Sequence, residues 1–230
     1  VGWLTALFTA TSATCVTGLT LSDTYSTFTI FGQVVIISLI QVGGLGFMMF
    51  ATMTIVAMGR RVSLHNRMLL RDSLAMPGLS GGVRTALRFF ALAFGIELLG
   101  AVVLAMRFVP DFGLGRGIYY SVFHSISAFC NAGFDLNGPI GSLNGYRNAP
   151  IVLLTISMLI ILGGIGFAVI WDVIDYRRAR RQLSLHTKVV LFVTAVLLVC
   201  GTVFFSPVPA PSRARVCGLF HSTNAKNTVP

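Results

Sequence analysis

The feature that most constrains this chain is that part of it occurs twice. Residues Phe8–Gly18 read FTATSATCVTG and residues Phe123–Gly133 read FHSISAFCNAG. At a constant offset of 115, Phe8 falls on Phe123, Ser12 on Ser127, Ala13 on Ala128, Cys15 on Cys130 and Gly18 on Gly133. Gly43-Gly44-Leu45-Gly46-Phe47 then recurs as Gly163-Gly164-Ile165-Gly166-Phe167 at 120, and Ser63-Leu64-His65 as Ser184-Leu185-His186 at 121. Ordered matches whose offset drifts slowly are what a duplicated unit with loop insertions produces, and such repeats set the architecture.

The second copy shows what kind of unit this is. Gly117–Asp135, GIYYSVFHSISAFCNAGFD, is too short and polar to cross a bilayer, which takes about 20 mostly apolar residues. Apolar runs flank it, Phe89–Met106 before and Ile151–Trp171 after. Seen alone, the segment reads equally as an external connector or as a helix from Gly117 to about Phe129 that enters the membrane and stops at Asn131-Ala132-Gly133. Non-helical backbone at that depth must be buried in protein or line a wet cavity. Recurrence with Cys and Gly in register favours the re-entrant loop.

Composition places the chain in a membrane: 55% of its 230 residues are hydrophobic and 10% charged, with a mean hydropathy of +0.83, against roughly 25% charged in soluble domains. The net charge of +10 is concentrated. Arg60, Arg61, Arg67, Arg71, Arg84 and Arg88 lie in one stretch and Arg177, Arg178, Arg180, Arg181 and Lys188 in another, together 11 of the 17 Lys and Arg. Cytoplasmic loops carry such an excess, so loops 59–88 and 177–188 are expected inside, and nucleic acid is not the expected partner. Cys15, Cys130, Cys200 and Cys217 have no C-x-x-C or Cys/His spacing, so neither a transition-metal site nor redox chemistry is indicated. No signal peptide is recognisable, and Val1 in place of an initiator Met is read as a start partway through a longer protein.

In order, residues 1–58 read as a first repeat without its leading helix: a pore helix at Val1–Thr11, a loop at Thr14–Gly18 and a long apolar run, Phe31–Met58. Its glycines are expected to serve close packing rather than a hinge or a nucleotide fingerprint. After the basic loop 59–88, residues 89–182 form a complete second repeat. Residues 183–230 open a third, with an apolar run to Phe205 and Phe220-His221-Ser222 echoing Phe123-His124-Ser125. Two crossings per unit give successive repeats the same orientation, whereas an inverted-repeat secondary transporter needs opposite ones. The fold class is therefore an all-α polytopic membrane protein with tandem parallel helix–pore loop–helix repeats of the potassium-channel type.

Glu97 is the one carboxylate well inside an apolar run. Intramembrane ionisable groups are costly and usually face a bundle interior, so it reads as a group on a cation path, as an inter-helix hydrogen-bond partner, or as a protonated packing residue. The loops carry the chemistry. Backbone carbonyls from symmetry-related loops can replace the water around a cation, glycine permits the required backbone angles, and a pore helix aims its negative C-terminal end at the ion. Enzyme motifs such as H-E-x-x-H, G-x-S-x-G or a P-loop are absent, so no enzyme is expected. The remaining alternative is a non-transporting scaffold or sensor that docks a cytosolic partner.

ATSATCVTGLTLSDT at 10–24, QVGGLGFMMFATM at 41–53 and SAFCNAGFD at 127–135 resemble the membrane subunit of bacterial Ktr potassium uptake systems, in the Trk/Ktr/HKT cation transporter superfamily. The likeness covers most of residues 1–205. It implies four M1–P–M2 repeats around one pore in the bacterial inner membrane. Carbonyls of Thr14, Cys15, Val16, Thr17 and Gly18 and of Phe129, Cys130, Asn131, Ala132 and Gly133 would coordinate K+, with Na+ as a coupling ion left open. It also implies a homodimer in the lipid bilayer and a cytosolic nucleotide-binding regulatory ring. The pattern is departed from where the first M1 helix is missing, where Lys226–Pro230 stands in place of a third filter, and where the third repeat's gating helix and the fourth repeat are absent. With two of four filter walls, residues 1–230 are not expected to conduct alone.

Overall fold

The computed structural model describes residues 2–46, 82–138, 142–179 and 183–205. Among them the regular structure is helical throughout, with α1 Trp3–Thr14, α2 Thr24–Thr27, α3 Ile30–Leu45, α4 Gly82–Phe112, α5 Leu114–Phe129, α6 Pro150–Ile165, α7 Phe167–Ala179 and α8 Leu185–Phe205. A 3-10 turn, Ser142–Tyr146, lies between α5 and α6. The chain divides into two compact units, residues 1–183 and 184–230. Loop residues 59–81, the end of the first apolar run and the third-repeat echo at 220–222 lie outside the described residues.

In the first unit the duplication extends to helix boundaries. Shifting α1 by 115 puts its last residue, Thr14, on Phe129, the last of α5. Shifting α3 by 120 reproduces both ends of α6, and each is 16 residues long. Each stops for the same reason. Gly46 and Gly166 have φ of +83° and +92° with ψ of 132° and 147°, an essentially glycine-only conformation that costs an L side chain about 1–3 kcal/mol and breaks the helical path.

Several boundaries differ from the sequence reading. The expected span Ile151–Trp171 is broken: α6 and α7 meet at Gly166 with a bend of 96°, and α6 alone is about 24 Å long at 1.5 Å per residue. Helix α4 begins at Gly82, so residues 82–88 are its first turns rather than loop. The stretch Asp111–Arg116 is helix apart from Gly113, where φ is +80°. A Cβ on Gly117 would fall 2.5 Å from Val109 Cα, so that glycine lets α5 turn tightly back along α4 and start three residues earlier than expected.

Contacts along this α4–α5 hairpin run in opposite senses. Gly117 meets Val109, and Ser125 Oγ donates to the carbonyl of Glu97 at 2.6 Å. The pair is antiparallel: Ser125 is level with Glu97, and α5 ends one helical turn further on, inside the apolar stretch Ala86–Phe112. Gly100 admits Ser125 Oγ and Leu159 side by side. The core of the unit lies between α4, α5 and α6, around Leu104, Phe108, Phe123, Phe129, Val152 and Leu159. Beyond the start of α5, Tyr146 packs against Phe108, and burial, followed by Asp111 beside it, pushes its hydroxyl up to about 12.

The second unit, as described, is α8: a 21-residue apolar helix long enough to cross a membrane. Ser184 Oγ accepts from Thr187 N at 3.3 Å, which caps its first turn.

Candidate functional site

Both helices α1 and α5 end in the same motif. After α1, Val16 N donates to Ala13 O at 3.3 Å and Thr17 N to Ser12 O at 3.0 Å; after α5, Asn131 N donates to Ala128 O at 3.1 Å and Ala132 N to Ser127 O at 2.8 Å. This paired return to the last turn is a Schellman motif, whose turning residue takes the left-handed conformation and is usually Gly or Asn. Here φ is +55° at Val16 and +59° at Asn131. Left-handed geometry at a β-branched residue is a true outlier, and such strain concentrates at functional sites. Two residues on, Gly18 and Gly133 are left-handed again, with φ of +72° and +71°. Asn131→Val is expected to lower stability by about 1–2 kcal/mol and Asn131→Gly by almost nothing, read as the shift in thermal midpoint of the purified protein.

The serine beneath each loop braces it. Ser12 Oγ and Thr17 Oγ1 are 2.9 Å apart, and Ser127 Oγ donates to Phe134 O at 2.6 Å. In the second copy His124 adds a further tie. Leu136 N donates to its Nε2 at 3.4 Å, so Nδ1 carries the proton and donates to Tyr120 O at 2.7 Å.

The glycines of the duplicated motif divide their work. A Cβ on Gly43 would collide with the carbonyl oxygen of Thr14, and one on Gly163 with that of Phe129. Gly44 faces the other loop, where its Cβ would sit 2.5 Å from Cys130 Cβ and Sγ. One inner helix thus wedges against both loops. The third glycine of each motif, Gly46 or Gly166, has nothing among the described residues within 4 Å of its Cβ direction and stands where the helix ends. Close packing therefore holds for Gly43, Gly44 and Gly163, whereas Gly166 is the bend between α6 and α7 that the sequence reading did not expect. The two loops also meet each other, since a Cβ on Gly18 would lie 2.6 Å from Ala132 O and 3.7 Å from Gly133 Cα.

The structure thus brings all ten loop residues into two adjacent, like-shaped turns. Thr14 and Phe129 are the final helical residues, with their carbonyls turned to glycines of α3 and α6. Loop one is open at Cys15 and Thr17, whereas loop two buries Cys130 and Ala132 and exposes Asn131 and Gly133. Glu97, 3% exposed, takes Gln41 Nε2 onto both carboxylate oxygens at 3.0 Å, linking α4 to α3. Gln41 carries no sequence signal of its own, and Phe167 stands in the sequence only as the last residue of a repeated motif. Phe167 stacks on Phe89 at 5.9 Å and lies 6.2 Å from Phe129, under the end of α5. Its recurrence after each Gly-Gly-x-Gly was the signal for it.

Residues 1–208 match the TrkH family, described as cation transport protein. The chain belongs to the TrkH family. Relatives of this TrkH-family chain include the Ktr system potassium uptake protein B of Bacillus subtilis, 46% identical over 85% of this chain and 43% of the relative. The potassium/sodium uptake protein NtpJ of Enterococcus hirae is 41% identical over 88% of this chain and 44% of its own length. The Ktr system potassium uptake protein B of Vibrio alginolyticus is also 41% identical, over 87% and 44%. The chain spans less than half the length of these curated relatives. TrkH-family proteins are cation transporters of membranes, not enzymes, which agrees with the apolar helices found here.

Proposed function

We propose that this chain is part of a potassium uptake transporter and that Cys15–Gly18 and Cys130–Gly133 form two walls of its selectivity filter. One observation carries the reading: two loops of the same backbone conformation, each ending a helix, seated side by side at Gly18 and Ala132. Left-handed residues alternating with others turn successive peptides so that neighbouring carbonyls can face one side, the arrangement a dehydrated cation needs. The halt of α5 one helical turn past Glu97, inside the apolar stretch of α4, supports a loop within the bilayer. Backbone left free of helix there requires a wet or buried site. Thr14 and Phe129 drop out of the coordinating set, because their carbonyls pack on Gly43 and Gly163.

The register of the glycines supports a larger ring. Gly44 receives the loop of the following repeat at Cys130, while among the described residues its counterpart Gly164 has nothing nearer than Asn131 Nδ2 at 3.8 Å. A third loop would seat there. Residues 1–230 reconstituted alone are therefore expected to give no potassium flux above empty vesicles. Homodimer formation and a cytosolic nucleotide-binding ring on the face of the basic stretches 59–88 and 177–188 follow from the family resemblance, as does the inner-membrane location. Cysteines placed in those stretches should react with impermeant reagents from the cytoplasmic side only.

The test of function is rubidium uptake in cells lacking their own potassium transporters, using the intact protein that contains this sequence. Uptake saturable by rubidium and competed by potassium far better than by sodium is expected. Uptake indifferent to which of the two ions competes would refute the filter.

A further inference from the structure

Glu97 departs from the internal symmetry. The loops, their serines and the glycine pairs come in duplicate, yet Gln41, which binds Glu97, falls on Ile161 at the offset of 120 that relates α3 to α6. The polar pair is an addition to the repeat, not part of its scaffold. Among the described residues Glu97 has no Lys, Arg or His within ion-pair distance; the ion pair found there is Arg107–Asp111, at 3.5 Å. Its partners are Gln41 Nε2 at 3.0 Å to each oxygen and Cys130 Sγ at 4.0 Å to Oε1, with its own carbonyl held by Ser125 Oγ. Cys130 caps α5 and is the first residue of the second loop. Gln41 Oε1 is buried without a hydrogen-bond partner, so the amide is committed to the carboxylate at the expense of its other end.

A buried carboxylate without a cation is costly and is by default functional in a membrane. Here its contacts converge on a single place. Gln41 comes from the helix whose Gly44 presses on Cys130, Ser125 from the turn of α5 before it, and Cys130 from the loop itself. We propose that Glu97 is a positioning residue that locks the second filter loop, through Cys130 and Gln41, in its ion-selective shape. It touches no ion. It fixes the point from which Asn131, Ala132 and Gly133 depart, so its loss is felt as selectivity more than as rate. This rests on the filter reading above.

The experiment measures apparent KM for rubidium and its inhibition by sodium in the intact transporter, normalised to protein in the membrane. Glu97→Leu strands the Gln41 amide and frees Cys130, so the preference for rubidium over sodium is expected to fall about tenfold. Glu97→Gln keeps an acceptor for Gln41 and should restore most of it, to within about threefold of the original. Cys130→Ala cuts only the link to the loop, and a fall of about threefold is expected. A Glu97→Leu protein that is merely scarcer in the membrane, with preference intact, overturns the proposal; should that variant not reach the membrane, an unchanged preference in Cys130→Ala does the same. Gly133→Ser runs alongside. If it too leaves preference unchanged, the filter reading fails; if it alters preference while the Glu97 and Cys130 variants do not, only the positioning role fails.

Discussion

In the intact transporter, Gly163→Ala is expected to remove nearly all rubidium uptake, together with most of the folded protein recovered from the membrane. The new Cβ would lie on the carbonyl oxygen of Phe129, with the carbonyl carbon at 2.8 Å. That peptide cannot swing aside cheaply. It ends α5, Phe129 is 3% exposed, and the returns of Asn131 and Ala132 to the last turn hold the following loop. Overpacking typically costs about 1–3 kcal/mol and occasionally more, and a clash with buried backbone belongs at the top of that range. Gly43→Ala meets the Thr14 carbonyl in the same way and should behave alike. The contrast is Gly166→Ala, three residues on, whose Cβ meets nothing within 4 Å among the described residues and which bears only the backbone penalty of an essentially glycine-only conformation, φ +92° with ψ 147°, about 1–3 kcal/mol. It should retain measurable folded protein and uptake. Equal behaviour of Gly163→Ala and Gly166→Ala would mean that the inner helices do not press on the loops as described.

The second large effect separates the two loop glycines. Both have φ near +70°, but their surroundings differ: a Cβ on Gly18 runs into Ala132 O at 2.6 Å, while one on Gly133 finds only Gly18 Cα at 3.8 Å. Gly18→Ala should therefore push the loops apart and cost both folded protein and selectivity. Gly133→Ser leaves room for the side chain, so the protein should assemble with its thermal midpoint only modestly lowered. Its backbone is nevertheless drawn from the left-handed region, and the preference for potassium over sodium is expected to fall about tenfold, equivalent to about 1.4 kcal/mol. Selectivity unchanged in Gly133→Ser, or lower stability in Gly133→Ser than in Gly18→Ala, would contradict the arrangement.

Much of this could be read from residues before any coordinates. Apolar runs and the paired Cys…Gly stretches give helix, loop, helix, because period and length are written locally, and the recurrence of Gly-Gly-x-Gly-Phe marks the partner surface of the loops. What escaped was set by packing between distant segments. The antiparallel return of α5 depends on Gly117 fitting against Val109, a contact that leaves no pattern in either neighbourhood. The break at Gly166 was masked by continuous hydrophobicity across Ile151–Trp171, since hydropathy counts residues and does not see φ. Gln41 looked like an ordinary polar residue in an apolar helix until Glu97, 56 positions away, was found opposite it. The carbonyls of Thr14 and Phe129 looked equivalent to those following them, and only the glycines facing them set them apart.

The most direct test of the filter is to locate the ion. Crystals of the intact transporter grown with thallium in place of potassium should carry an anomalous peak bounded by backbone oxygens from Cys15–Gly18 and Cys130–Gly133. Thallium bound elsewhere along the permeation path, with both loops bare, would contradict the assignment.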